Sequence, residues 1–257
     1  MKFQIIGCGK MGEVILKGIL NFGILSQDIV VEEANEAQRE HLQSTYNINF
    51  WTNPQADIII LAVKPQQIGE IDFSQFSKSA LIFSIMAGIT IEKLENLTDN
   101  KNIVRSMPNL PLSIGRGVIG YVKYDDNDQE KTQLLVDIFS KIGKVIRLKD
   151  EDQIDRISTI SWSWPAYFYY LTEILTQQAK ELWFSDDDAL AIAQETFVWS
   201  AILLDQSWLS ATQLKTNVAS KGGSTQAALD TMKNEGIETA VQKWIKSAYA
   251  RAKELGK

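Results

Sequence analysis

The sequence predicts an α/β domain of Rossmann type with a parallel sheet, followed by an all-α domain. Three observations favour this division. A glycine-rich turn follows the first apolar run, strand-like and helical segments then alternate to about residue 150, and strand-like runs disappear thereafter. Strands separated by helical segments are typical of a parallel, doubly wound sheet. We therefore assign residues 1–152 to the first domain and residues 153–257 to the second.

Short apolar runs are predicted to be strands. Residues 58–63 form the clearest of them, because an uninterrupted apolar run is expected of a parallel strand that is covered on both faces. The predicted strands are residues 3–6, 29–31, 58–63, 81–85, 102–107, 118–124 and 145–148.

Segments with apolar residues at helical spacing are predicted to be helices. Asn35 favours a helix start and Gly23 a helix stop, and Pro165 fits the first turn of a helix. The predicted helices are residues 13–22, 36–44, 129–142, 165–182, 186–204, 226–232 and 237–255.

Composition and charge exclude several classes of function. The formal net charge is −6, so a broad basic surface for nucleic acid is not expected. The longest clean apolar run, residues 58–63, is too short to cross a bilayer, and the first residues lack the apolar stretch of a signal peptide. One Cys and one His make an internal disulfide impossible and a zinc site improbable. The sequence therefore predicts a cytoplasmic protein without metal, nucleic-acid partner or membrane segment.

Residues 7–12 read GCGKMG and match the pattern GxGxxG. The motif is weak alone, but here it follows a predicted strand and opens a predicted helix. Gly7 permits the tight turn, Gly9 lets the backbone approach a pyrophosphate, and Gly12 lets helix and strand pack closely. The helix N-terminus then faces the phosphates, which Lys10 can also reach. The motif predicts a bound dinucleotide, and a glycine-rich turn without a ligand is the alternative.

Two acidic residues follow the second predicted strand. Glu32 and Glu33 lie about 20 residues past the loop, where an acidic side chain can bond the ribose 2′-OH. A carboxylate there repels a 2′-phosphate, and no Arg lies between Gly12 and Arg39. This favours NADH over NADPH as the cofactor. The alternative is that both carboxylates are solvated charges at a strand end.

Five further motifs follow in order along the chain. They are AVKPQ at 62–66, SIMAGIT at 84–90, MPNLP at 107–111, QLKTNVASKGGST at 213–225 and ARAKEL at 250–255. Together with the glycine loop they resemble the pyrroline-5-carboxylate reductase family, whose members catalyse the last step of proline biosynthesis. The resemblance extends over nearly the whole chain, and five motifs in order are far more specific than the loop alone.

The resemblance implies a Rossmann domain followed by a helical dimerisation domain, in a homodimer of a kind that often assembles into decamers. It implies an NAD(P)H-dependent oxidoreductase that reduces the cyclic imine of 1-pyrroline-5-carboxylate to L-proline, with Thr225 as the catalytic residue beside the ring nitrogen. The implied substrate-binding residues are Ser220, Gly222, Gly223, Ser224 and Thr225. The expected cofactor-binding residues combine those of the glycine loop and Glu32 with those that the resemblance adds. They are Gly7, Gly9, Lys10, Met11, Gly12, Glu32, Ala62, Val63, Lys64, Pro65 and Asn109.

The chemistry of residues 220–225, SKGGST, suits a carboxylate ligand. Two glycines leave backbone N–H groups unshielded, so the turn can form an anion-binding nest. Ser224 and Thr225 add hydroxyl groups, and the following helix adds its dipole. An ordinary helix cap is the alternative, because Ser and Thr favour that position. The bound cofactor supplies the hydride, so no nucleophile or catalytic histidine is required, and His41 is expected on a solvated helix.

Some positions depart from the family pattern. The segment SWSWPAY at 161–167 has Trp162 and Trp164 where the family usually has glycines, and Lys221 replaces a proline. These changes leave open a reductase of a different cyclic imino acid, or a cofactor-binding paralogue without catalysis. A hydroxy-acid dehydrogenase is less favoured, because it needs a general acid–base group near the alcohol. No histidine is placed to supply one, and a lysine is the alternative.

Overall fold

The computed structural model describes residues 1–51, 53, 55–124 and 128–255. The chain divides into two compact units. The first contains Met1–Trp162 together with the residues from Ala248 onward, and the second contains Ser163–Ser247. The last turns of the chain therefore belong to the same unit as its beginning.

The first unit is built on a sheet, which has seven strands within the described residues. They are β1 Phe3–Ile6, β2 Ile29–Glu32, β3 Ile58–Leu61, β4 Leu81–Ser84, β5 Ile103–Pro108, β6 Gly117–Lys123 and β7 Gly143–Arg147. Their order is β2-β1-β3-β4-β5-β6-β7. The predicted strands are thus confirmed, with ends that differ by at most two residues.

The core lies on both faces of this sheet, because successive side chains of a strand point to opposite faces. Ile58 and Ile60 of β3 belong to one hydrophobic cluster, together with Phe3 and Ile5 of β1. Ile59 and Leu61 belong to a second cluster. Every residue of β1, β3, β4 and β5 is buried, which explains why these strands are mostly apolar. The buried polar exceptions are Gln4, Ser84, Arg105 and Ser106.

The direction of β6 differs from the prediction of a wholly parallel sheet. The pairs from β2 through β5 are parallel, but β6 runs antiparallel to β5, and β7 is parallel to β6. Only residues 109–116 connect β5 to β6, whereas a parallel connection needs a crossover of about a dozen residues or more. A short 3-10 helix, Leu110–Ile114, and Gly115 with φ +75° reverse the chain there.

Helices cover the sheet of the first unit. They are α1 Lys10–Phe22, α2 Glu36–Tyr46, α3 Ile91–Thr98, α4 Gln129–Ser140 and α5 Glu151–Ile157, and a π-helical segment, Ser158–Trp162, follows α5. The predictions of α1, α2 and α4 are confirmed, including Asn35 as the N-cap of α2. Helices α3 and α5 were not predicted from periodicity because each is short, and Thr90 and Asp150 cap them.

The second unit is helical throughout the residues described in it. It contains α6 Trp164–Glu181, α7 Asp186–Gln206, α8 Ala211–Val218, α9 Ser224–Asn234 and most of α10 Ile237–Leu255. The predicted long helices are confirmed, and α8 is an addition that begins with a capping box of Ser210 and Gln213. Helices α6 and α7 pack against each other. Within this one chain, Trp183, Trp199 and Trp208 are exposed.

No helix in the described part of the chain combines the length and apolarity needed to span a bilayer.

Candidate functional site

The glycine loop joins β1 to α1 by a turn in which two glycines are sterically required. Gly7 has φ +80°, and a Cβ there would lie 2.5 Å from Cγ1 of Val63. A Cβ at Gly12 would lie 2.5 Å from the carbonyl oxygen of Gly7. The N–H of Gly7 donates to the carbonyl of Glu32 at 2.8 Å. The first and third glycines therefore serve the close packing of loop, helix and neighbouring strands.

Gly9 differs from these two glycines because nothing lies within 4 Å of a Cβ built on it. It is the N-cap of α1 and has no side-chain cap hydrogen bond. The loop follows β1, which lies between β2 and β3, and the strand order reverses at this point. Ligands of doubly wound sheets bind outside the carboxyl ends of the strands at such a switch point. The space over Gly9, at the positive end of the helix dipole, fits a phosphate.

Lys10 and Met11 occupy the first turn of α1 but differ in burial. Lys10 is exposed, whereas Met11 is half-buried and packs against the hydrophobic core. Cys8 is fully buried within the loop. Burial, together with the nearby charges of Glu13 and Glu33, raises the pKa of the Cys8 thiol far above its usual range, so the loop offers no thiolate nucleophile.

The two glutamates after β2 have different surroundings. Glu33 accepts hydrogen bonds from the backbone N–H groups of Cys8 at 2.8 Å and Asn35 at 2.9 Å, and it thereby fixes the glycine loop. Glu32 is exposed at the end of β2, and its carboxylate has only a long contact, 3.5 Å, from the side-chain amide of Gln4. Glu32 therefore retains oxygens that can accept bonds from a ribose, while Glu33 holds the scaffold.

The segment after β3 lies against the glycine loop. The N–H of Ala62 donates to the carbonyl of Ile6 at 2.8 Å, and its Cβ would be 3.5 Å from a Cβ at Gly12. Val63 contacts the position of a Cβ at Gly7. Lys64 is exposed, and Pro65 opens the 3-10 helix Pro65–Glu70. The structure thus brings Ala62 and Val63 together with the loop and places Lys64 and Pro65 next to them.

Asn109 lies directly after β5 and is 7% exposed. Its Nδ2 donates to the carbonyl oxygen of Ser161 at 3.1 Å and to its Oγ at 3.0 Å. Its Oδ1 accepts from the N–H of Val118 at 2.8 Å. Because both amide donors are engaged, this side chain positions Ser161, a contact that sequence reasoning missed.

The SKGGST segment lies in the second unit and leads into α9. The N–H of Gly223 donates to the carbonyl of Ser220 at 2.9 Å, and Gly222 has φ +76°. Helix α9 begins at Ser224 with Gly223 as its N-cap and no side-chain cap hydrogen bond. The alternative of an ordinary Ser or Thr cap is therefore not observed. Ser224 and Thr225 lie in the first turn, so their hydroxyl groups are close to the positive end of the helix.

His41 is exposed on α2, as expected, but it is also paired. Its Nε2 lies 2.8 Å from Oε1 of Glu13, which also accepts from the Tyr46 hydroxyl at 3.0 Å. Burial and these contacts with Glu13 raise the pKa of Tyr46 to about 12. The group ties α1 to α2 and has no feature of a catalytic site. No cluster of His, Cys, Asp and Glu suited to a metal ion occurs among the residues that the structure describes.

Sequence reasoning also missed an ionic network on β5. Arg105 is 2% exposed and donates to Glu151 and Asp155 of α5, each at 2.9 Å. Lys253 near the end of α10 contacts Asp155 at 3.1 Å and Asp152 at 2.5 Å. An arginine within a buried strand needs charged partners, and the acidic run that opens α5 was the only signal in the sequence for where they lie.

The glycine turn at the switch point and the free carboxylate at the end of β2 define the first unit as a dinucleotide-binding domain of Rossmann type. Residues 151–255 match the family model for pyrroline-5-carboxylate reductase dimerisation, and residues 2–88 match the model described as NADP oxidoreductase, coenzyme F420-dependent. A pyrroline-5-carboxylate reductase of Pasteurella multocida is 30% identical over 270 residues, which cover 98% of this chain and 96% of that one. The chain belongs to the pyrroline-5-carboxylate reductase family.

Solved structures are similar over the same length. A pyrroline-5-carboxylate reductase from Coxiella burnetii has a TM-score of 0.89 at 28% identity, with 100% of this chain and 98% of that one covered. The Plasmodium falciparum pyrroline carboxylate reductase with NADP bound has a TM-score of 0.85 at 26% identity, with the same coverage. The likeness therefore includes both the sheet-containing and the helical regions.

Proposed function

We propose that the protein reduces the cyclic imine of 1-pyrroline-5-carboxylate to L-proline with a nicotinamide dinucleotide as the reductant. The observation that carries the proposal is the open space over Gly9 at the switch point of the sheet, in a chain that matches a named relative over 96% of that relative's length. When bound, the dinucleotide supplies a hydride, which forms a C–H bond at the imine carbon while a proton taken by the imine nitrogen completes the amine.

The residues of the first unit fit such a cofactor. Gly7, Gly9 and Gly12, with Lys10 exposed beside them, suit a pyrophosphate at the helix N-terminus. We propose that Ala62–Pro65 lie along the cofactor and that Met11 supports the loop by packing against the core. We also propose that Asn109 lies at the nicotinamide side, where it holds Ser161 in place. In this proposal residues 1–152 hold the dinucleotide, and residues 153–257 bind substrate and dimerise.

A preference for NADH is part of the proposal and depends on Glu32. Its carboxylate is exposed at the end of β2, where two acceptor oxygens can bond the two ribose hydroxyls. A 2′-phosphate at that place would meet a like charge, and like charges at close range repel. The NADP-bound relative shows that nicotinamide dinucleotides of both kinds must be tested.

We assign recognition of the substrate carboxylate to Ser220, Gly222, Gly223, Ser224 and Thr225. The turn at Gly222, with φ +76°, and the uncapped start of α9 present N–H and hydroxyl groups to an anion. In the proposal Thr225 bonds the ring nitrogen and orients the imine carbon toward the hydride, because rate enhancement in such a transfer comes largely from orientation.

We also propose a cytoplasmic homodimer that assembles further into a decamer. The second unit leaves Trp183, Trp199 and Trp208 exposed, and large apolar surfaces of this kind mark protein–protein contacts. The free, buried thiol of Cys8 is compatible with a reducing compartment.

The deciding experiment follows the oxidation of NADH, and in parallel of NADPH, in the presence of pyrroline-5-carboxylate. We expect turnover by the purified protein, and a loss of at least about tenfold in kcat for Thr225→Ala, an amount equal to about 1.4 kcal/mol. Thr231→Ala is the matched control, because its hydroxyl only bonds the carbonyl of Ala227 in the same helix. Binding of NADH without turnover of any cyclic imine would instead indicate the paralogue without catalysis. Turnover of piperideine carboxylate alone would indicate a different cyclic imino acid.

A further inference from the structure

Trp162 belongs to the first unit and has no role in the reaction proposed above. It is the last residue of the π-helical segment Ser158–Trp162, and its side chain is 46% exposed. Single π-helical turns occur frequently at functional sites. Thr159, three residues earlier, is buried, so the segment is anchored on one side while it leaves a large indole open to solvent.

The position of Trp162 relative to the sheet is fixed by its neighbour. Ser161 is held through its carbonyl and its hydroxyl by the amide of Asn109, at 3.1 and 3.0 Å. Asn109 follows Pro108, the last residue of β5, and is itself held by Val118. The backbone at Trp162 is therefore fastened to the carboxyl end of β5.

The carboxyl edge of the sheet also sets the direction of the cofactor. The proposed pyrophosphate site lies over the end of β1. Glu32, whose carboxylate is proposed to bind the ribose, lies at the end of β2. The other half of a dinucleotide must then extend the opposite way, over β3, β4 and β5. Three strand spacings, about 14 Å, separate β1 from β5, and the nicotinamide half of the dinucleotide extends toward that side of the sheet. The reacting carbon of the cofactor is thus expected near the end of β5.

We propose that Trp162 is a specificity-determining residue whose indole face forms the wall against which the protonated ring of the cyclic imine lies. The inference rests on the proposed function. A protonated imine is a small flat cation, and tryptophan is the side chain that attracts a cation most strongly to its ring face. A side chain of this size also limits the size of the substrate ring that fits, since the volume of a pocket discriminates between substrates that differ by one methylene.

The test compares Trp162→Phe, Trp162→Ala and the control Trp51→Ala, a tryptophan of the first unit that is also exposed, in the whole protein. We expect Trp162→Ala to raise KM for pyrroline-5-carboxylate by roughly two- to thirtyfold, the range of cation–π contacts from exposed to desolvated sites, and Trp162→Phe to raise it less. We expect Trp162→Ala also to shift the ratio of the kcat/KM values of the two substrates toward piperideine carboxylate, which has one more methylene. We expect Trp51→Ala to change neither KM nor this ratio.

A binding measurement separates attraction to the cation from a general loss of packing. Calorimetry with oxidised cofactor present compares L-proline, whose ring nitrogen is charged, with cyclopentanecarboxylate, which lacks it. We expect the wild type to prefer L-proline, with the preference reduced in Trp162→Ala and partly kept in Trp162→Phe. Unchanged KM, unchanged ring-size preference and unchanged ligand preference in Trp162→Ala would overturn the inference. A change only in oligomeric size would do the same. Failure of the proposed function is distinct, because the wild type would then not turn over pyrroline-5-carboxylate.

Discussion

Lys253 and Asp152 form an ion pair with 2.5 Å between Nζ and Oδ1, which fastens the last turns of α10 to the first turn of α5. Tyr249 donates to the same carboxylate oxygen at 2.6 Å. Asp155, one turn further along α5, contacts both Lys253 and the buried Arg105. A chain of charged groups therefore runs from the end of α10 through α5 to the interior strand β5.

The pairing of Asp152 predicts a pH dependence of stability. The hydrogen bond from Lys253, followed by that from Tyr249, lowers the pKa of Asp152 well below its ordinary value of 3.8. The carboxylate thus contributes stability above about pH 4, and this contribution is lost as the pH falls through the lower pKa of the folded state. Unfolding by urea at a series of pH values should show a difference between wild type and Asp152→Asn at pH 7 that shrinks below pH 4. Parallel curves down to pH 2 would contradict this assignment.

Arg105 predicts the largest loss of stability in the network. Replacement by Met leaves Glu151 and Asp155 without the cation that they share, and removal of one partner from a buried ion pair costs about 3 kcal/mol or more. The free energy of unfolding should fall by this amount for Arg105→Met. The control is Arg251→Met, which removes an exposed pair with Glu254 and should change stability by about 0.5 kcal/mol or less. Equal effects of the two substitutions would refute a central role for Arg105.

Substitutions at two positions of the glycine loop are expected to have different effects, one on stability and the other on cofactor binding. Gly12→Ala places a Cβ 2.5 Å from a backbone oxygen, so it should reduce the free energy of unfolding by about 1–3 kcal/mol. Gly9→Ala meets no protein atom within 4 Å, so it should leave stability unchanged and weaken NADH binding on the order of tenfold, because the new methyl group fills the phosphate space. Denaturation and calorimetry with NADH test the pair. A destabilised Gly9→Ala with normal affinity would be the contrary result.

The glutamates after β2 predict a change in cofactor preference. Glu32→Gln removes the charge that would face a 2′-phosphate, so the ratio of kcat/KM for NADPH to that for NADH should rise by about tenfold, equivalent to about 1.4 kcal/mol. Glu33→Gln is the matched control, since Glu33 bonds the loop backbone at Cys8 and Asn35 and should affect both cofactors alike. An unchanged ratio in Glu32→Gln would remove Glu32 from the ribose site.

The local parts of the fold were accessible from the sequence. Residues 3–6 were predicted as a strand and β1 is Phe3–Ile6, because three of its four residues are apolar, as expected of a buried parallel strand. The cap at Asn35 and the steric need for Gly12 were equally readable, since each depends on atoms only a few residues apart. The need for Gly7 was read from the motif, because the close contact of a Cβ there is with the distant Val63.

The remaining features depend on contacts between distant residues. The reversal of β6 is set by the short link of residues 109–116, and the apolar pattern of a strand does not encode its direction. The bond between Asn109 and Ser161 joins two polar residues that have no periodic signal. The pairing of Lys253 with Asp152 requires the end of α10 to return to the first unit. The periodicity of a helix does not predict which element its last turn contacts.

That return places the second unit, Ser163–Ser247, in sequence between two parts of the first. Synthesis proceeds from the N-terminus, and so the sheet emerges from the ribosome long before Tyr249 and Lys253. Before Tyr249 and Lys253 are synthesised, Asp152 lacks both of its partners from α10. The contacts within the first unit are therefore incomplete until the second unit has also been synthesised. During biosynthesis the contacts that join α5 to α10 can therefore form only after the whole of the second unit has been synthesised.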